Sequence, residues 1–391
     1  MKPALVVFLK ECRESLRDRR VLVNSLLLGP LLGPLLFLGL MRLVVGRELE
    51  KAERPLPVVV IGAERAPELV RALRQMGMEQ RPALPDAEQA VREQRIDLAL
   101  RISAGYGADW RAGRPAEVEL IYDSSRREGG SDVDRLRSML DSYSRRNGLL
   151  RLLARGLSPA LAAPVVIAAR DQATPQARGA LLFGMLPYML VLTIFIGGIW
   201  LATDSTAGER ERQSLEPLLI NPVPRDRILL GKLLATAAFS MASLVLGLLA
   251  FMVAGHFMPT EQLGMSLALG WHFVAVALPV LAPLVLLICV AQILIAAFAR
   301  SVREAQTYLG LAQLVPLIPS VVLSVLPVKA QLWMYAVPLL GQQLTLMRLL
   351  RAESVPLIGI ALSGLVTLLA ALAVFNLARR VYSSEKLAIS T

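Results

Sequence analysis

Cysteine is nearly absent from this chain: Cys12 and Cys289 are its two, and neither falls in the long polar block between residues 46 and 178. That block therefore has no disulfide framework and no thiolate metal site. Histidine is equally scarce. His256 and His272 both stand near the ends of apolar segments and supply no Ser/His or His/Glu set for hydrolysis within a membrane. No Gly-x-x-x-x-Gly-Lys-Ser/Thr occurs, because Gly231-Lys232 is followed by Leu233 inside an apolar run. The chain is thus expected to be no enzyme by itself and to bind no cofactor. Charge is missing too, over several long stretches, and that absence says most about the fold.

With 391 residues, 55% of them hydrophobic, and a mean hydropathy of +0.54, the chain is too apolar for a soluble protein and too charged to be embedded throughout. The two characters are segregated. A bilayer core of about 30 Å needs roughly 20 apolar residues in a helix, since the backbone must there satisfy its own hydrogen bonds. Six stretches qualify: 21–45, 179–203, 228–254, 272–299, 305–326 and 355–378. A further apolar piece, 330–351, has Lys329 before it and Pro338, Gly341 and Arg348 within it. It makes a poor seventh span and is expected to be a re-entrant or interfacial hairpin covered by protein.

Lys and Arg cluster before the first span, between the second and third, between the fourth and fifth, and after the sixth, whereas 256–272 has none. The positive-inside rule then puts both termini and the 204–227 loop in the cytoplasm of a multi-pass inner-membrane protein. The net charge of +11 is read as membrane orientation and contact with anionic lipid, with no nucleic-acid partner. The first span lacks a signal-peptide cleavage site and is expected to stay in the mature protein. Within 1–20, Leu5, Phe8, Leu9, Cys12 and Leu16 recur at helical spacing opposite Lys10, Arg13, Arg17 and Arg20. That pattern suits an amphipathic elbow helix on the cytoplasmic leaflet; a merely solvated lead-in has the same signature.

Residues 46–178 have ordinary soluble composition. Strands are predicted at 57–61, 97–102, 118–122 and 164–168, and helices at 67–76, 86–94 and 132–154, giving a small α/β domain. It has no His, no Cys and no Gly-rich phosphate loop, and its carboxylates are interspersed with Arg, so gating, docking or substrate handling is expected of it rather than catalysis. In the 204–227 loop, Asp204-Ser205-Thr206 reads as a helix N-cap cluster. Glu209, Arg210, Glu211, Arg212, Ser214, Leu215, Glu216, Leu218 and Leu219 then read as a short amphipathic helix with a charged collar, stopped by Pro222 and Pro224 before Arg225. Such a helix suits a groove on a partner.

Pro30 and Pro34, Pro187, Pro279 and Pro283, and Pro316 and Pro319 are either pivots or the ordinary proline of membrane helices. Gly29 and Gly33 have a small-xxx-small spacing that fits a dimer face or intrachain packing. Polar residues at depth are neutral: Asn24, Gln292, Gln306 and Gln313. Asn24, Pro187, Gln306, Gln313 and Pro316 are taken as the candidate translocation path.

The run from Ala207 to Leu219, then Pro222-Val223-Pro224-Arg225 and Gly231-Lys232, closely resembles the cytoplasmic loop of type-2 ABC transporter permeases, particularly the NatB-like sodium-efflux and multidrug-export branch. Glu14 to Arg20, Asp97 to Ile102 and Val337 to Gln342 resemble that family's elbow, a strand of its external domain and its re-entrant segment. The resemblance implies a polytopic α-helical membrane protein, with six transmembrane helices and an α/β extracytoplasmic domain between the first and second. It further implies a separately encoded ATPase carrying ATP and Mg, docked on the 204–227 loop, and a second permease copy in a homodimer or heterodimer. The function implied is the permease subunit of an ATP-driven exporter of an ion, lipid-like or hydrophobic compound. A membrane-anchored sensor or envelope assembly factor is the rival reading.

Overall fold

A computed structural model describes the chain except for residues 1–2, 125–126, 163–169, 171, 183, 214–222, 259–265, 326–328 and 384–391. It divides into two compact units, one formed by 1–46 with 172–391 and the other by 47–171.

The larger unit is helical. Six of its helices are long and apolar enough to cross a membrane: Arg19–Arg47, Leu186–Glu211, Arg225–His256, Trp271–Phe298, Val302–Leu323 and Leu357–Tyr382. They are called the first to sixth spans below. The second span packs along the third, and the fourth along the sixth, around a core that includes Phe37, Leu190, Ile194, Leu244, Phe251, Leu284 and Ile288. Phe37 meets Phe251 edge to face, 5.9 Å between centroids. Lipid offers apolar side chains no reason to leave it, so close approach of backbones has to hold such a bundle. The second and third spans show this at Gly197 and Gly247, where an added Cβ would lie 2.6 Å from Ser243 Cβ and 2.9 Å from Thr193 Cγ2. Gly29 abuts Ile196, and Gly33 faces Phe251, so the small-xxx-small pair of the first span is spent on intrachain packing.

Three elements depart from the sequence expectation. The second span starts at Leu186 rather than 179, with a separate helix Pro175–Leu182 before it; Pro187 occupies its first turn, where a missing N–H costs nothing. The same span runs on to Glu211. Asp204, Ser205 and Thr206 form a π-helical turn inside it instead of capping a new helix, and Thr203 and Thr206 return their hydroxyl hydrogens to the carbonyls of Ile199 and Ala202. The fifth span is broken between Val302–Ala312 and Leu317–Val325, because Pro316 has no N–H to give and restricts the residue before it.

The 330–351 piece holds two short helices, Leu332–Tyr335 and Leu340–Leu350. Gln342, Gln343 and Thr345 of the second are fully buried. Gln342 Nε2 donates to Thr367 Oγ1 of the sixth span at 2.7 Å. Gln343 Nε2 donates to the Pro316 carbonyl at 2.9 Å, and its Oε1 accepts from Ser320 at 2.8 Å. Buried amides thus satisfy the carbonyl at the break of the fifth span.

The smaller unit is an α/β sandwich. Its sheet has the order β2-β1-β3-β4, with β1 Leu56–Ile61, β2 Met78–Arg81, β3 Leu98–Ile102 and β4 Val118–Tyr122. β1 pairs in parallel with β2 and β3, and β4 closes antiparallel on β3. Leu56, Val58, Val60, Leu98, Leu100 and Ile102 face helices Pro67–Gln75 and Arg127–Ala154, which supply Leu69, Leu73, Val133 and Leu136. Val59 and Ala99 take the other face with Ala87, as the two-residue period of a strand demands. Gly77, at φ +100°, ends the first helix, and its carbonyl accepts from Leu56 N at 2.8 Å. β2 and the short helix Tyr106–Arg111 were not anticipated. The strand predicted at 164–168 lies outside the described residues.

Candidate coupling site

The N-terminal helix Pro3–Arg17 turns Ala4, Glu11 and Ser15 into the protein. It crosses the third span where Gly231 leaves no room for a side chain: a Cβ there would lie 2.6 Å from Val7 Cβ and 2.7 Å from the Ala4 carbonyl oxygen. Leu5, Val6 and Leu16 remain exposed. The residues turned into the protein are thus other than Leu5, Phe8, Leu9, Cys12 and Leu16, the stripe expected to lie in the acyl chains of the leaflet.

Two turns past the opening of the third span stands Lys232, 0% exposed. Its ammonium has three donors and three acceptors: Glu209 Oε2 at 2.6 Å, the Ser205 carbonyl at 2.5 Å and Glu11 Oε1 at 3.4 Å. Glu11 and Glu209 are 4% and 6% exposed. Lys10 completes the group, 3.0 Å from Glu209 and 3.3 Å from Glu11, with the exposed Glu14 at 3.4 Å. Burial by itself lowers the pKa of Lys10, but Glu11, Glu209 and Glu14 more than offset this and hold its ammonium above the ordinary lysine range. Two buried carboxylates facing two ammonium groups leave the core of the cluster neutral. A buried charge stays ionised only with such pairing.

Among the described residues, the rest of the charged run also has partners within the chain. Arg210 donates to the Ala299 carbonyl at the end of the fourth span, 3.4 Å. Glu211 accepts the backbone N–H of Val302 at 2.9 Å, a carboxylate set at the start of the fifth span where the helix dipole favours it. Arg212 pairs with Asp204 at 2.8 Å. Ser301 caps the same helix of the fifth span by accepting from Glu304 N, and the Glu304 carboxylate accepts from Arg300 N, one residue before the cap. Arg225 reaches the carbonyl of Tyr382 at the end of the sixth span, 3.3 Å.

Glu209, Arg210 and Glu211, expected to point at a partner, therefore form a hub within the chain that ties the second span to the N-terminal helix and to the third, fourth and fifth spans, while Arg212 is exposed and pairs with Asp204 of the second span itself. Glu209 in particular is turned inward. Ser214, Leu215, Glu216, Leu218, Leu219 and Pro222 lie outside the described residues. Sequence reasoning missed Lys10, Glu11 and Lys232. A lysine among apolar residues of a span is a functional signal in its own right, and Glu11 shares a helical face with Ala4, Val7 and Ser15; those were the available clues.

Of the five candidate path residues, Asn24 lies in the π-helical stretch Val23–Leu28, Pro187 in the first turn of the second span, and Gln306, Gln313 and Pro316 in the fifth. The polar core that does form lies between the second, third and fourth spans. Gln292 Nε2 donates to the Phe195 carbonyl at 2.8 Å, and Cys289 is 3.3 Å from the Ser240 hydroxyl. Among the described residues no group of three or more His, Cys, Asp or Glu could hold a metal ion.

Six apolar helices with an ionic hub and a polar α/β unit define a polytopic helical membrane protein. Residues 5–352 match the family described as ABC-2 family transporter protein, and the chain belongs to that family. It is similar to the ABC transporter permease protein NatB of Bacillus subtilis (strain 168), with 27% identity over 386 residues, 97% of this chain and 98% of that one. No solved structure matches it. The chain is accordingly an ABC transporter permease subunit.

Proposed function

We propose that this permease is the export half of an ATP-driven pump, moved by a separate ATPase that grips the segment between the second and third spans. The observation that carries the reading is the hub. The second span continues as helix to Glu211, where its charges are tied to the N-terminal helix and three other spans. A push on residues 213–224 would then reach the bundle as a rigid-body displacement instead of being absorbed by a loose loop. In this reading Leu215, Leu218 and Leu219 make the ATPase contact and the ion cluster transmits it. Both termini face the cytoplasm of the inner membrane, the α/β unit is extracytoplasmic, and ATP and Mg stay on the partner.

A second permease copy fits the exposed apolar rows of the first and fifth spans, Leu31, Leu35 and Leu40 on one and Leu311, Leu314 and Ile318 on the other. Lipid covers whatever the copy leaves. Cargo of lipid-like or hydrophobic character suits these faces; an ion would need oxygen ligands gathered at depth. The test is co-purification of the ATPase with a permease carrying Leu215→Glu and Leu218→Glu, alongside vesicle ATP hydrolysis across ions and amphiphiles. Loss of the ATPase with normal membrane insertion is expected. Full retention of the complex overturns the docking role.

A further inference from the structure

At the end of the bundle opposite the ionic hub, the fifth span, the Leu340–Leu350 helix and the approach to the sixth span enclose a cavity of about 380 Å³. That it lies at the opposite end follows from the hub contacts, since Val302 begins the fifth span beside Glu211 and Tyr382 ends the sixth beside Arg225. Three cations line it, Lys329, Arg348 and Arg351, with a single carboxylate, Glu353; the walls are Leu323, Leu344 and Met347. The net charge of the lining is therefore +2.

The cations are held in place but not used up. After Leu350 the chain turns back through Ala352, at φ +54°, and Glu353 N donates to the Arg348 carbonyl at 2.9 Å. This fold-back sets Glu353 between the two guanidinium groups at 3.7 Å from Arg348 and 3.8 Å from Arg351, too long for hydrogen bonds. Among the described residues Lys329 has no ion-pair partner. Planar guanidinium forks beside an ammonium match the oxygens of a phosphate.

The depth of the pocket says what carries the phosphate. Trp333 follows the lysine closely and is 59% exposed, and Trp271, which opens the fourth span at the same end, is 70% exposed. Exposed tryptophans of a membrane protein gather at the headgroup level. A basic cavity there, walled by leucine and methionine, meets both the phosphate and the first carbons of a lipid. We propose that Lys329, Arg348 and Arg351 form a binding site for the phosphate of an anionic phospholipid headgroup. Glu353 limits its strength by competing for the same arginines.

Full-length protein in nanodiscs of phosphatidylcholine, with spin-labelled phosphatidylglycerol as probe, reads the preference directly. Lys329→Gln should reduce the preference for phosphatidylglycerol about fivefold, the effect of one basic residue near an anionic surface. Glu353→Gln should increase it. A merely misfolded variant weakens both, so the opposite signs are the signature. Equal preference in wild type and both variants overturns the proposal. So does displacement of the probe by inorganic phosphate at the same concentration, which would make the site one for free phosphate.

Discussion

Lys232 and Glu209 lie 23 residues apart in sequence, on different spans, and face each other across 2.6 Å with neither exposed to more than 6%. Glu11, 221 residues from Lys232, completes the arrangement. Removing one member of a buried pair leaves the other charge unpaired and costs far more than the pair contributes.

Lys232→Met should accordingly destabilise the protein by about 3–5 kcal/mol, because Glu209 and Glu11 lose their shared cation. Glu209→Gln in the same chain should recover part of that loss, the two changes together being less harmful than their sum. Thermal unfolding of the detergent-purified single and double variants checks this. Strict additivity would show that the two residues are not coupled.

Gly198 carries the closest contact of the second span with the polar core: a Cβ there would lie 2.5 Å from both Gln292 Oε1 and Ser240 Oγ. Gly198→Ala should cost about 1–3 kcal/mol, the usual penalty for overpacking. Gly46→Ala, inside the helix Gly29–Glu53 where nothing lies within reach, serves as the control and should not lower the melting temperature.

Gln343→Leu would strand the Pro316 carbonyl and the Ser320 hydroxyl. Hydrogen bonds between membrane helices average about 0.6 kcal/mol and reach about 2, so a total loss of roughly 1–3 kcal/mol is expected. Hydrogen exchange of the fifth span around Pro316 should rise. Unchanged protection there would mean that the break is held by other contacts.

In the α/β unit Tyr106 stacks on Trp110 at 5.8 Å, and Trp110 on Tyr143 at 5.7 Å, with Arg151 4.2 Å above the indole. Burial, then Tyr143, pushes the Tyr106 phenol up to about 12. A pKa raised in the folded state means stability that is whole below the ordinary value near 10 and is lost as pH rises through about 12. Burial raises the neighbouring Tyr143 phenol as well, so ultraviolet titration should show a late-ionising fraction, and Tyr106→Phe should reduce that fraction by one phenol. An unchanged late component would assign it to another tyrosine.

What could be read from the chain and what could not divide along physical lines. β1 and β3 are apolar runs because both faces of an inner strand are covered, and they stand out in the sequence. β2, Met78–Arg81, is an edge strand held by the ladder to β1 and by the single buried side chain of Met78, so no periodicity marks it. The charged run after Thr203 is conspicuous by composition, yet composition cannot say whether a carboxylate faces water or a lysine on the next helix.

The amino-acid sequence by itself determined that this is a membrane protein with a polar α/β insertion, because a bilayer imposes a length and an apolarity that every spanning helix must meet alone. Only the tertiary structure decided which charges are spent inside. The partners of Glu209 come from the N-terminal helix and the third span, and an ion pair is a matter of distance in space, which separation along the chain does not encode.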